Sequence, residues 1–574
     1  MRNIVDPQQN RLFDPFHGLI SEIGRKVINN GWQAVFRHLI LILMPVCELG
    51  RHFDPTVGAP TKELYSMAGL VFLADFHGWT AQEAAEAYMF RVDVQYALNL
   101  EPGAEVSSRT VERYQQIFRE DDLPSKVFDH VTKRLVDLLD LDVKRQRLDS
   151  THVSSHMATF GRTKLMAVAI KRFLTQVKRK TPDLYAALPE ELRVRYEPSA
   201  SRLFADAKSD PDRKRLRQQA AEDLLRVVDH FAANEQLTSC STYKALVKIF
   251  GEQCELIEGK VTVREKTGGD VIQNPSDPDA TLDGHKGAGY QVQISETCGE
   301  NNEVQLITAA LPQTACEHDS SAVAPILEQL RTADLTPEEL LADTAYGGDE
   351  NVLTAEAGGV ELIAPVPGRD PVTEPDALTI DDFAIDEKTG LVERCPAGNE
   401  PVSSERDDEK GMTTTEMPAE KCRECQFRKQ CPIKKTREGR YIIESTDKER
   451  RITERRREQQ TDVFKERYST RSGIESTNSG LKNRLGMKRL RVRGRGSVYR
   501  VILHKLAGWN MLRAAASEKM RALIAERVAK TTGGCENGLI GLFFGRVMSY
   551  LAARSGPTTR FWIQNGGRSF FFAV

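Results

Sequence analysis

The chain has 574 residues, 40% hydrophobic and 28% charged, with a formal net charge of −2. That length leaves room for roughly two to four domains, and the composition is that of a globular protein. The near-balanced charge does not by itself point to nucleic acid, but the charge is segregated along the chain, so local charge is the informative quantity. The composition excludes a bilayer span: Leu39 to Val46 is short and holds Pro45, and Gly538 to Ala553 is interrupted by Arg546. Met1 to Gly31 has no continuous apolar core of the kind a secretory leader needs, so a soluble, cytoplasmic protein is expected.

In chain order, residues 1–135 read as helical. Leu64, Met67, Leu70, Val71 and Leu73 fall at helical spacing, and Ser107 caps an amphipathic pattern that runs to Glu120. That second helix offers Arg109 and Arg113 as candidate DNA readers, with an ordinary surface helix as the plainer reading. Val143 to Leu148 reads as a short strand delivering Asp149. Residues 154–265 read as a charged helical insertion. Gly289 to Thr297 and Glu303 to Leu311 read as strands, His318 to Arg331 as a helix, and Leu340 to Ala342 as a buried strand delivering Asp343. Residues 347–446 are rich in turn formers and acids and contain a cysteine cluster. Asp447 to Leu485 reads as strongly helical. The resulting domains are 1–135, 136–346, 347–446 and 447–530, with a tail at 531–574 to which the sequence assigns no role.

Two acids therefore sit where strands end, Asp149 in Leu-Asp-Ser-Thr and Asp343 in Ala-Asp-Thr-Ala-Tyr-Gly. A carboxylate just past a buried strand projects from the sheet edge, where sites tend to form. A third acid, Glu475, belongs to the spacing Tyr468-x2-Arg471-x3-Glu475-x6-Lys482. On one continuous α-helix these four would share an arc of about 60°. Three carboxylates suit a pair of Mg²⁺ ions that activate a nucleophile and neutralise a leaving 3′ oxygen in phosphodiester chemistry. Arg471 and Lys482 beside them suit DNA phosphates.

The segment Tyr-Ser-Thr-Arg-Ser-Gly-Ile-Glu-Ser-Thr-Asn-Ser-Gly-Leu-Lys resembles the signature of bacterial insertion-sequence DDE transposases, in particular the cut-and-paste group with a Tyr-Arg-Glu-Lys motif. The downstream Arg-Leu-Arg-Val-Arg-Gly and the cysteine-containing insertion resemble one branch of that group. The resemblance spans roughly residues 60–515. It implies an α/β fold with an RNase H-like mixed sheet flanked by helices, and the helical residues 1–135 before it are expected, from their own pattern, to form an N-terminal DNA-binding domain. It implies Asp149, Asp343 and Glu475 as ligands of Mg²⁺ or Mn²⁺, and Tyr468, Arg471 and Lys482 as contacts to transposon-end DNA. Transposon ends and target DNA become the expected partners, held by a homodimer, in a bacterial cytoplasm and on the nucleoid when bound. The implied reaction is cleavage at element ends followed by attack of the 3′-OH on target DNA. Two alternatives keep the same acids: another RNase H-fold nuclease without strand transfer, and an inactive DNA-binding relic or regulator of transposition.

Cys395, Cys422, Cys425 and Cys431 have the spacing Cys-x26-Cys-x2-Cys-x5-Cys. A Cys-x2-Cys knuckle can place two thiolates on one tetrahedral Zn²⁺, so a closed structural site is expected, with unligated thiols as the alternative. Between Glu475 and Glu518 there is no acidic residue, while Lys482, Arg484, Lys488, Arg489, Arg491, Arg493, Arg495, Arg500, Lys505 and Arg513 all lie there. A one-signed run of this kind suits phosphate contact, with Arg489, Arg491 and Arg493 at its centre. Arg450, Arg451, Arg455, Arg456 and Arg457 are interleaved with glutamates, so helical salt pairs compete with DNA there. His152 and His156, near Asp149, read as packing or exposed residues.

Overall fold

The computed structural model describes the chain except residues 10–14, 17–18, 102, 201–208, 369–376, 387–388, 537–559, 566–567 and 574. The tail expected at 531–574 lies mostly outside the described residues; what is described includes an antiparallel pair, Arg560–Asn565 with Arg568–Ala573. The chain divides into two compact units: residues 1–74, 79–131 and 510–574, and residues 75–78 with 132–509.

The first unit is helical. The apolar pattern after residue 63 becomes two helices, Leu64–His77 and Ala81–Phe90, because Thr80 and Glu83 form a reciprocal capping box that starts a new helix. Ser107 accepts from the Thr110 amide and caps Ser108–Glu120, which buries Val111, Tyr114, Ile117 and Phe118. Arg109 and Arg113 stand on the exposed side, the latter 5.1 Å from the Phe53 ring centre. The sequence reading joins 510–530 to the catalytic part, whereas the structure groups residues from 510 onward with the N-terminal helices. Arg527 explains part of this, since its guanidinium donates to the His38 carbonyl at 2.7 Å.

The second unit is built on a mixed sheet. Its strands are β1 (Arg145–Val153), β2 (Thr281–Asp283), β3 (Gly287–Thr297), β4 (Ile307–Thr314), β5 (Glu339–Ala342) and β6 (Glu361–Ile363). Their order is β2-β3-β1-β5-β6, with β4 also on β3. β1 runs antiparallel to β3 and parallel to β5, β3 is antiparallel to β4, and β5 is parallel to β6. A mixed sheet with helices is thus present, consistent with an RNase H-like arrangement. Between β1 and β2 the helices Arg162–Lys180, Asp210–Phe231 and Ser241–Gln253 form their own core around Phe173, Leu224 and Leu246. The expected all-helical insertion also carries a hairpin, Cys254–Ile257 with Lys260–Val263, closed by Glu258 and Gly259 in left-handed conformations.

The segment that follows Asp343 first completes the main sheet with a helix (Asp349–Ala357) and β6. Only then does a separate module begin. It holds a four-stranded antiparallel sheet of β7 (Ser403–Asp407), β8 (Met412–Met417), β9 (Lys434–Lys435) and β10 (Tyr441–Thr446), ordered β7-β8-β10-β9. β8 alternates buried Thr413, Thr415 and Met417 with partly exposed partners, the period of a strand with one covered face.

Asp447 to Leu485 is not one helix. It comprises α1 (Asp447–Glu458), α2 (Asp462–Ser469), a 3₁₀ turn at Thr470–Gly473 and α3 (Ile474–Asn483). The long α4 (Arg495–Ala516) follows, and the unit boundary falls within it. Arg451 pairs bidentately with Asp349 at 2.8 and 3.1 Å, Arg455 donates to the Gly347 and Ala364 carbonyls, and Arg457 pairs with Asp382 at 2.7 Å. These three arginines of α1 are engaged with protein groups.

Candidate active site

Asp149 sits in the middle of β1, opposite Ile294 of β3, and not at a strand end as the sequence suggests. The strand continues through Thr151 and Val153, which are buried and β-branched. Leu148 pairs with Ala342 across the parallel β1/β5 ladder, so Asp149 and Asp343 leave neighbouring strands at equivalent positions. Asp343 directly follows β5 and accepts the Ala345 amide at 2.8 Å, which orients its carboxylate.

Glu475 comes from the first turn of α3, a helix held to the sheet by a buried polar link. Arg147 of β1 pairs with Glu296 of β3 at 2.6 Å and donates to the Thr470 carbonyl at 3.0 Å. The other Glu296 oxygen accepts from Thr477 at 2.6 Å. Gly473 makes this possible: a Cβ there would lie 2.0 Å from Arg147 Nη1. Gly480 plays the same part on the next turns, since a Cβ there would meet the Trp509 ring at 2.2 Å. Burial of Ile474 and Leu481 completes the anchoring.

The three acids meet on one side chain. The Arg471 guanidinium lies 3.2 Å from Asp149, 3.8 Å from Asp343 and 3.8 Å from Glu475. The sequence reading gives Arg471 to DNA; in this structure it neutralises the carboxylates instead. The 3₁₀ turn is the reason, because it takes Arg471 off the surface arc of a continuous helix and turns it inward. Asn478, on α3, donates to Asp149 at 3.0 Å. Burial pushes the Asp149 carboxyl up, against the pull of Arg471, and the neighbouring Asp343 and Asp319 add to the rise. Asp149 and Arg471 are 14% and 16% exposed, whereas Glu475 is 71% exposed and forms the rim.

Tyr468 belongs to α2 and stacks on Phe464 at 5.7 Å, both packed over Leu341 and Ile363. Burial raises its hydroxyl pKa, with Asp343 and Asp149 close enough to add to the effect. Lys482 remains part-exposed on α3, within electrostatic reach of half-buried His152, whose pKa burial lowers; His156 is exposed. Thus Tyr468, Arg471, Glu475 and Lys482 stand on three successive elements and do not share one helix face.

A second polar group that sequence reasoning missed adjoins the acids. Asp319 accepts from Gln293 at 2.8 Å and Ser150 at 3.2 Å, and Lys286 lies 3.6 Å away. Tyr346 donates to Gln293 and is held protonated by burial and by the nearby Asp319, Asp149 and Asp343. Nothing in their spacing joins these residues, since β1, β3 and the turns before β3, after β4 and after β5 bring them in from separate segments.

The basic interval divides by burial. Residues 488–492 run beside the end of β1: Ser154 donates to the Lys488 carbonyl at 3.3 Å, Leu490 donates to Ser154 at 2.8 Å, and His156 donates to Val492 at 2.8 Å. Leu490 is buried and Val492 half-buried, so Arg489, Arg491 and Arg493 project to the exposed side. Arg500 and Lys505, grouped with them by sequence, are buried. Arg500 pairs bidentately with Asp75, which also accepts from His504, and Lys505 donates to the Phe76 and Leu485 carbonyls. Burial lowers the Lys505 pKa to about 8. Neither residue is placed to meet a phosphate.

Cys395, Cys422, Cys425 and Cys431 line one cavity in the separate module, with Phe383, Met417 and Ile433 among the other walls. Burial pushes the Cys422 thiol up to about 11, with Cys431, Cys395 and Cys425 adding to the shift. Among the described residues, no group of three or more His, Cys, Asp or Glu side chains is arranged to hold a metal ion. Amid the three carboxylates, the positive charge is that of Arg471. No helix among the described residues is long and apolar enough to cross a membrane.

Residues 394–515 match the family model described as Transposase DDE domain. The matched segment holds the cysteine cavity, Tyr468, Arg471, Glu475, Lys482 and the exposed arginines, but neither Asp149 nor Asp343. No curated protein and no solved structure matches the chain.

Proposed function

We propose that the chain is a DNA transposase of the DDE type, of the bacterial insertion-sequence kind its signature resembles. It would cleave phosphodiester bonds at element ends and join the freed 3′-OH to target DNA. The observation that carries this reading is the meeting of Asp149, Asp343 and Glu475 on Arg471, with Glu475 inside a segment that matches a transposase DDE domain. The mixed-sheet order supports an RNase H-like core.

The donor set fits a hard divalent cation: three carboxylates from two adjacent strands and one helix, all oxygen, at the edge of a sheet. Asp149, Asp343 and Glu475 would hold Mg²⁺ or Mn²⁺, which when bound activates the attacking oxygen and neutralises the leaving one. Strand pairing holds Asp149, the Ala345 amide orients Asp343, and the Arg147–Glu296–Thr477 link anchors the helix of Glu475. Arg471 lies against all three carboxylates and would turn to a DNA phosphate when the end binds. Tyr468 and Lys482, on the helices either side of Arg471, would contact the transposon-end DNA. Arg489, Arg491 and Arg493 would grip the duplex backbone, while Arg109 and Arg113 would read sequence. Two copies of the chain would hold the paired ends.

The test is strand cleavage of DNA flanking the gene, in Mg²⁺, by the purified chain and by Glu475→Ala. The expected result is cleavage and joining by the parent and none by the variant, with end binding retained. Full cleavage by Glu475→Ala would overturn the assignment, and cleavage without joining would make the chain a nuclease of the same fold.

A further inference from the structure

The module between β6 and α1 has a small core. Its buried apolar residues are Ile380, Phe383, Val392, Met417, Ile433, Tyr441 and Ile443, with Cys395, Cys422 and Cys431 packed against them. Small bodies of this kind commonly need a cross-link or a metal to hold a fold. The four cysteines arrive at one cavity from three places. Cys395 follows the strand Val392–Arg394, Cys422 lies on the short helix Ala419–Arg423 with Cys425 just past it, and Cys431 donates its amide to Phe427 just before β9. None of the four is in a disulfide.

We propose that Cys395, Cys422, Cys425 and Cys431 bind one Zn²⁺ as a closed structural site that staples this module. Four thiolates in a tetrahedral set suit Zn²⁺ and leave no open position for catalysis. The walls also supply what such a site requires. Four thiolates around a dication carry two net negative charges, and Lys421 and Arg428 both line the cavity. Asn399 directs its side-chain amide at the Cys395 sulfur at 3.7 Å, and the Ile433 backbone hydrogen-bonds to Cys431. Donors to sulfur of this kind orient and stabilise metal thiolates. Among the described residues, no histidine or carboxylate lines the cavity, and its metal-ligating side chains are the four cysteines. Because the four ligands come from separate segments of the module, the metal's binding energy would become folding energy of the module. The proposal is independent of the transposase reading, because it concerns none of the residues assigned to DNA or to the carboxylate site.

The experiment uses the full chain purified under reducing conditions without chelators. Elemental analysis is expected to find about one zinc per chain. Exchange for Co²⁺ should give a thiolate-to-cobalt charge-transfer band and the strong visible bands of a tetrahedral site. Titration of the parent protein with a mercurial should release zinc in step with thiol modification, a readout that needs no variant to fold. Cys422→Ser with Cys425→Ser should lose the metal, while Cys47→Ser with Cys316→Ser should keep it. Zinc retained by the first pair, iron found in its place, or a reduced protein that holds no zinc and takes up no Co²⁺ would each overturn the proposal.

Discussion

The exposed ladder of arginines allows a quantitative test of how DNA is held. Replacing Arg489, Arg491 and Arg493 with Ala removes three cations on the exposed side of residues 488–493, and the backbone bonds to Ser154 and His156 do not depend on those side chains. Each phosphate neutralised on duplex DNA contributes about 0.9 to the log–log salt slope, so the slope should fall by about 2.7 if all three make contact. Between 50 and 200 mM salt the parent should then lose about 40-fold more affinity than the variant. Backbone contacts carry little sequence information, so end DNA and random DNA should weaken by similar factors. Fluorescence anisotropy against salt on both DNAs measures this. An unchanged slope would refute the phosphate role, and a loss confined to end DNA would move sequence reading to this segment.

Two further outcomes follow from the carboxylate cluster. Asp149→Asn should raise the melting temperature at pH 7, because burial raises the native carboxyl pKa and ionised Asp149 therefore costs stability. The sign is that of a raised acid: the cost is absent where Asp149 is protonated in both states, below about pH 4, and grows as pH rises through the native value. Melting curves from pH 4 to 8 check it, and a gain independent of pH would show that ionisation is not the cause. Arg471→Gln should cost about 2–3 kcal/mol at neutral pH, somewhat less than for a fully buried pair, because it leaves the acids without a counter-charge. Millimolar Mg²⁺ should stabilise this variant more than the parent in thermal melts, and equal shifts would show that Arg471 and the cation do not share the site.

Local pattern made part of this site legible. A short apolar run followed by Asp343 and a glycine turn reads as a strand and its exit, and β5 is there. The Glu475 spacing reads as helix, and Glu475 does lie in a first helical turn. The turn at Thr470–Gly473 was hidden because Arg147, from far upstream, decides it by occupying the space a side chain at 473 would need. Asp319, Lys286 and Glu296 escaped for the same reason, since the pairing of distant strands and their turns brings them to the acids. The sheet at 403–446 had a signal that composition masked: Met-Thr-Thr-Thr-Glu-Met and Tyr-Ile-Ile-Glu-Ser-Thr are β-branched runs within a region dominated by turn formers. Arg500 and Lys505 show the limit of counting charges, because a buried partner such as Asp75 is invisible in a basic run.

The order in which the acids occur along the chain has a consequence for biosynthesis. Asp149 and Asp343 lie on adjacent strands that can pair once residue 343 has been made, but Glu475 waits until the whole cysteine module and α1 and α2 have followed. A nascent chain therefore carries two acids and no third for more than a hundred codons. A product interrupted before Ile474 would keep the strands, the cysteine cavity and the residues of the N-terminal helices up to 131 while lacking the rim carboxylate. The layout makes the complete set of three acids a late event of translation.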